Sequence, residues 1–536
     1  MPREHGLCGP LHLPKCLWRF AKPEPLSRTS IASPWRIRIK QKSIIIIGAG
    51  IAGLAAGCYG QMNGYRTQIF ELHYNPGGLC TSWKRKGYTI DGCIHWLVGS
   101  SPANKFYRIW EELGAVQGQR MVDHEEFIRV EGTDGKTFII YTDVDRLEQH
   151  MKELAPADKE VIEEFIEGIH ACIRSDLPIE KAPELYGPID RLKLLSKMSP
   201  FLRVMRKWEK IPIQDFAKRF SDPFLRQAFP LSFDLPDFPM MGMLMTLAWM
   251  HQKSAGFPIG GSLEFSRAIE QRYLNLRGQI HYRSPVSKIR VQNDQAPGVR
   301  LADGTEGRGD IVISAADGHS TIFDMLEGKH INDEIRGYYD RLLIFPPLVQ
   351  VALGVARSFE GLPHSIIYPL REPVTIAGQE HKWIGVEIYN FDPTLAPAGE
   401  TVLKVMFDSN YEYWSALKED SARYQAEKEK IADQVIAVLD QRFPGLGGQV
   451  EMRDVATPMT WERYTANWRA SFEGWLITTT TFRMRMSKTL PGLENFYMAG
   501  QWVEPGGGVP TAAMSGRNVI QIICHQDKKP FVTSVP

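Results

Sequence analysis

No apolar run in this 536-residue chain approaches the roughly 18–20 residues needed to cross a bilayer. That argues against an anchored tail and favours a cytoplasmic chain that at most rests on a membrane surface. Cysteine is scarce: seven thiols, an odd number with no regular framework, point to a reducing compartment rather than a disulfide scaffold. No C-x-x-C pair is present, so Cys80 and Cys93 read as packed thiols. Charge of one sign is lacking too. With 63 basic and 62 acidic side chains the net charge is +1, and no bulk field recruits nucleic acid. Only residues 1–40 are unbalanced, with Arg3, Lys15, Arg19, Lys22, Arg28, Arg36, Arg38 and Lys40 against Glu4 and Glu24. They hold no apolar signal core and read as a flexible basic extension, a transit leader or an over-extended start. His5, Cys8, His12 and Cys16 are metal-binding types without the paired spacing of a zinc site, so no metal is expected.

What is present begins at residues 43–78. An apolar strand (44–47) leads into Gly48-x-Gly50-x-x-Gly53, a small-residue helix, and a second strand (67–70) ending at Glu71. A dinucleotide site requires this order: Gly48 for the tight turn, Gly50 for approach of the pyrophosphate, Gly53 for close helix packing. Ile51 and Ala52 open the helix, whose free N–H groups and dipole favour a diphosphate. Glu71 stands where a carboxylate meets the ribose, with Leu72 beside it. Gly77-Gly78-Leu79 then offers a second bare backbone stretch, suited to the larger FAD rather than NAD. Near the C-terminus, Gly500-Gln501 is followed by Gly506-Gly507-Gly508-Val509-Pro510-Thr511, a glycine crossing that opens a helix with proline in its first turn.

These segments, with GGLCTSWKRKGYTIDGCIHWLVG from Gly77, resemble the phytoene desaturase, carotenoid isomerase and retinol saturase branch of the FAD-dependent amine oxidase superfamily. The resemblance implies that a backbone position at Val286 faces the adenine and that the Val509 amide lies nearest the pyrimidine edge of the flavin. Gln501 departs from the acid common in the family at that position. The implied fold class is α/β: a discontinuous Rossmann-like FAD-binding domain with a second α+β substrate domain, a mixed sheet plus a helical cap. The expected boundaries are an extension at 1–40, FAD-binding parts at 41–145, 254–346 and 481–536, a helical cap at 146–253, and the substrate sheet at 347–480. Within these, a hairpin is expected over 127–141, a strand over 281–291 and one amphipathic helix over 413–442.

By the same resemblance the substrate is a long apolar polyene, a carotenoid or retinoid-like isoprenoid, that is desaturated, saturated or isomerised at flavin N5. An amine oxidase and a non-catalytic flavin-holding interaction protein are the alternatives. His95, after the Asp91-Gly92 turn, is positioned to exchange a proton, or else merely lines the pocket. Trp96, Trp461 and Tyr464 suit an elongated apolar ligand. Glu462 and Arg463 read as an acid–base pair or, preferably, a salt bridge at a domain junction. Residues 190–210 put apolar side chains on one helical face among basic ones, as in a helix packed on a core or lying on an anionic membrane, and Pro200 should split it in two. The oligomeric state is open.

Overall fold

The computed structural model describes residues 41–175, 178–233 and 235–536. The basic extension, with His5, Cys8, His12 and Cys16, lies outside the described residues. A five-stranded parallel sheet, in the order Gln279–His281, Arg66–Phe70, Ser43–Ile47, Ile311–Ser314, Phe496–Met498, anchors the nucleotide domain. Its central strand is buried along its whole length, because a strand covered on both faces needs apolar residues at every position. Ile44 and Ile46 pack on the helices Ile51–Met62, Gly261–Asn275 and Gly508–Gln526. Ile45 and Ile47 face the opposite way, toward the meander Val286–Gln292, Gln295–Leu301, Glu306–Arg308 and the Trp475 and Trp502 rings.

The second sheet has seven strands, in the order Val450–Ala456, Leu348–Val355, Thr401–Asp408, Gln379–Ile388, Ser365–Ile376, Glu126–Glu131, Thr137–Tyr141. One outer face is covered by the helix Ser421–Arg442, whose Ile431, Ala432, Val435 and Leu439 are buried. The cap comprises Val144–Leu154, Lys159–Ile173, Pro188–Trp208, Ile213–Ala217, Pro223–Leu231 and Met240–His251. Its core is aromatic: Phe216 meets Phe165, Trp208, Phe220 and Phe229 with ring centroids 5.4–5.9 Å apart.

Four expectations change. The hairpin at 126–141 joins the substrate sheet rather than the nucleotide domain, through a parallel pairing of Ile366 and Ile367 with Arg129 and Val130. The strand expected over 281–291 is two strands in two sheets, parted where Arg283 takes φ +52 and Pro285 offers no N–H. The helix expected over 413–442 is two, Tyr411–Lys418 and Ser421–Arg442, because Asp420 caps the second by accepting from the Ala422 and Arg423 N–H groups. Pro188–Trp208 is one helix running through Pro200, where burial of Phe201 and Trp208 in the cap core offsets the missing backbone bond.

Because Phe216 is fully buried at the centre of this cluster, Phe216→Ala is expected to cost about 3–5 kcal/mol. Thermal unfolding should show a lowered cap transition; an unchanged profile would contradict the packing described.

Candidate functional site

A cavity of about 1650 Å³ extends from the carboxyl ends of the parallel strands into the cap. Single-ligand pockets run to roughly 300–1,000 Å³, so this one has room for a cofactor and a second molecule. Ligands in open α/β sheets bind at this edge.

Three backbone stretches, at 48–52, 77–79 and 499–512, line the sheet end. Gly48 turns there at φ +96, a conformation that side chains rarely adopt. A Cβ at Gly53 would overlap the Gly48 carbonyl, so the helix reaches the strand only with glycine at that position. Gly53 is therefore a packing residue, off the cavity wall, while Gly48, Gly50, Ile51 and Ala52 are on it. Gly50 bridges to Gly77, whose N–H donates to the Ala49 carbonyl at 2.9 Å. Leu72, Gly78, Leu79, Gly500, Gln501, Gly508, Val509 and Thr511 also line this end. Helices Ile51–Met62 and Gly508–Gln526 both begin here, and neither has a side-chain cap. Their first-turn N–H groups are left to a bound anion. A glycine cradle with two uncapped helix starts fits a dinucleotide.

Glu71 is buried, and its carboxylate is engaged with the chain itself. Oε2 accepts from the Ala49 N–H (2.6 Å) and Oε1 from the His73 N–H (2.8 Å). Burial raises this carboxyl, and those bonds oppose the rise. The acid thus fixes the glycine loop while still lining the cavity. Val286 is the exception: it does not line the cavity. The Ser284 N–H donates to the Glu71 carbonyl at 2.8 Å, and Val286 begins the separate meander beyond it. Gln501 turns its amide toward Asn467, donating to Oδ1 at 3.3 Å.

The predicted pocket aromatics divide between the two ends. Trp96 meets Phe127 edge-on at 5.3 Å, beside an apolar wall of Phe233, Phe238, Met245 and Trp249. Trp461 instead packs on Trp83 (5.7 Å) and half-exposed Tyr464 on His73 (5.3 Å), at the Glu71 end. Among the described residues, Glu462 and Arg463 make neither an acid–base pair nor a mutual salt bridge. Glu462 accepts from the Tyr411 hydroxyl, and Arg463 lies over the Tyr464 ring.

His95 sits in a buried polar cluster in the cavity. Its Nε2 is 3.0 Å from Lys404 Nζ and 3.1 Å from Glu387 Oε1, so it either accepts from the lysine or donates to the carboxylate. Lys404, with 1% of its side chain exposed, pairs with Glu387 Oε2 at 2.9 Å, and the Tyr389 hydroxyl donates to the same oxygen at 2.7 Å. Burial would raise the Glu387 carboxyl, but the His95 and Lys404 charges carry it well below the usual range. Nearby, His364 and His124 stack at 3.6 Å, and burial pushes them down to about 3 and about 4, so both are neutral donors or acceptors. Lys404, Glu387 and the two histidines come from separate strands and loops, and no local motif announced them.

Glu473 also escaped sequence reasoning, since an acid between Phe472 and Gly474 matches no pattern. It lines the cavity, packed so tightly on Gly507 that a Cβ there would overlap it. Burial pushes its carboxyl up to about 7.

The family model described as flavin containing amine oxidoreductase matches residues 51–524. The chain is 23% identical over 512 residues to prolycopene isomerase of Daucus carota, covering 89% of this chain and 79% of that protein. It is 24% identical over 511 residues to the neurosporene-forming phytoene desaturase of Rhodobacter capsulatus, covering 89% and 93% respectively. A Methanosarcina mazei oxidoreductase superposes with a TM-score of 0.58 at 18% identity, over 89% of this chain and all of that one. The cofactor is FAD.

Gly53→Val is expected to yield protein at least tenfold poorer in flavin, because the side chain would drive the helix off its strand. Gly448→Ala, at a site with open space around it, serves as the control. Flavin absorbance per polypeptide decides, and equal content in both variants would refute the cradle.

Proposed function

The chain belongs to the flavin containing amine oxidoreductase family, an FAD-dependent oxidoreductase, and on that premise we propose that it acts on the carbon–carbon bonds of a long apolar polyene. The observation that carries this reading is the continuity of one cavity from the glycine cradle to a wall of Trp96, Phe127, Phe233, Phe238, Met245 and Trp249. Such a wall holds an extended hydrocarbon by area and shape and keeps water from the reacting carbons. Bound FAD supplies hydride exchange. The protein contributes positioning, which accounts for the scarcity of acid–base groups at the apolar end. The matched relatives named as carotenoid isomerases and desaturases support the substrate class.

The experiment is anaerobic addition of carotenoid and retinoid polyenes to purified holoprotein. Loss of the oxidised flavin absorption, or isomerised product after prior reduction, is expected with at least one of them. Silence across the panel, or peroxide release with amines instead, would overturn the reading. Met245→Glu, which puts an unpaired charge in the apolar wall, should lower conversion more than tenfold while flavin content holds.

A polyene dissolves in bilayers, and the helix Pro188–Trp208 supports a membrane as its source. Ile189 and Leu192 are each 70% exposed and Leu195 is 55% exposed, at i, i+3 and i+6, with Arg191, Lys193, Arg203 and Arg206 exposed on the same helix. Exposed apolar side chains among basic ones suit an anionic surface. No helix among the described residues is long and apolar enough to cross a membrane. Co-sedimentation with anionic phospholipid vesicles is expected, weaker with zwitterionic ones, and reduced at least tenfold by Leu192→Glu with Leu195→Glu. Equal binding by the double variant would exclude this helix.

A further inference from the structure

We infer that the Glu473 carboxyl is the group that exchanges protons with substrate carbon in this cavity, an assignment that rests on the polyene reading above. Its position motivates this. Glu473 sits on the segment between the substrate sheet and the flavin strand, against the Gly506–Gly508 crossing that borders the cofactor cradle. Its side chain is half-buried and presents surface to the cavity.

A buried carboxyl is costly unless neighbours satisfy it. Around Glu387 the chain supplies Lys404, His95 and Tyr389. Around Glu473 no charge among the described residues offsets the burial. The titratable group facing it from the hairpin side is Cys93, in turn hydrogen-bonded to Cys80; that contact and burial hold the Cys93 thiol well above its ordinary value. The pairing follows from the Ser82–Arg85 and Tyr88–Asp91 hairpin. Ser82 stands opposite Asp91, and the Gly92 N–H donates to the Thr81 carbonyl, so Cys80 and Cys93 come next across the ladder. On the crossing itself, Glu504 is paired with buried Lys488 at 2.5 Å, and Gln501, which lies against Gly474, is neutral. Glu473 is thus left near-neutral and able to change protonation close to physiological pH, as a general acid–base group must.

The chemistry has a vacancy of this kind. Removing hydrogen from a carbon–carbon bond takes a hydride from one carbon and a proton from its neighbour. The hydride half is the cofactor's, and its two electrons pass on to an external acceptor of the quinone or dioxygen class. In the proton half, the C–H pair becomes the second bond of the new alkene while the proton moves to the Glu473 carboxylate. Hydrogen addition runs the same transfer backwards: an external two-electron donor of the nicotinamide class reduces the cofactor, the hydride passes to one carbon, and the carboxylic acid gives its proton to the other. His95 is less free for this role, because Lys404 and Glu387 both claim its Nε2.

The test compares wild-type holoprotein with Glu473→Gln and Glu473→Asp. Since burial raises this group, its carboxylate forms only as pH climbs through about 7. Wild-type desaturation should therefore rise across that range, and addition should fall. Glu473→Gln should lose on the order of 100-fold in conversion with unchanged flavin content, and its rate should no longer follow that ionisation. Independently of turnover, the protonated-carboxyl infrared band that titrates in the wild-type holoprotein should vanish in Glu473→Gln and return in Glu473→Asp. Conversion that survives Glu473→Gln with the pH profile intact overturns the role alone. No polyene conversion by the wild type overturns the substrate reading and this role with it.

Discussion

The structure depends on how closely backbone can approach backbone along the helix Ile51–Met62. On one side Gly53 brings it against the turn at Gly48; on the other Gly516 lets the helix Gly508–Gln526 lie so near that a Cβ would be 2.8 Å from the Ala56 nitrogen and would overlap the Ala52 carbonyl. Neither contact tolerates a side chain. With the first helix pinned near its start by Gly53 and the second at its middle by Gly516, the free N–H groups of both converge on one end of the cavity. The cofactor end of the site is thus a by-product of close packing, and glycine is needed where nothing touches the ligand.

The rest of the cavity sets an apolar wall beside a buried charge cluster. Lys404 and Glu387 neutralise each other, and Tyr389 and His95 complete the shell, so the pair adds polarity without a net field. The neutral His124–His364 stack extends this pattern. An elongated ligand would therefore lie along apolar side chains with one polar region beside it.

The cofactor end was legible in the sequence because its determinants are local. The Gly48 to Glu71 unit spans one βαβ, and Gly506 to Thr511 spans one strand-to-helix junction, so residue order dictates geometry. Lys404, Glu387 and His364 were not legible, since three separate segments bring them together and a lysine within an apolar strand has no signature. The single strand expected over 281–291 is broken for a related reason: Pro285 and Arg283, at positive φ, end one strand early, so that Val286 and the positions after it fall in another sheet. The hairpin expected over 127–141 is legible from alternation, but its parallel attachment to Ser365–Ile376 links residues more than two hundred positions apart. Pro200 does not split its helix, because tertiary burial of Phe201 and Trp208, which only the fold reveals, outweighs local helix breaking.

The glycine cradle is assembled from residues near 50, near 78 and near 508. Ribosomes deliver these in that order, so the first two parts emerge hundreds of residues before the third. Until Gly508–Gln526 arrives, the nascent nucleotide domain has one helix terminus of two and an uncovered face on Ile51–Met62. Flavin capture is therefore a late event in biogenesis, and the partly made chain relies on its own apolar collapse, or on chaperones, to keep that face from other proteins.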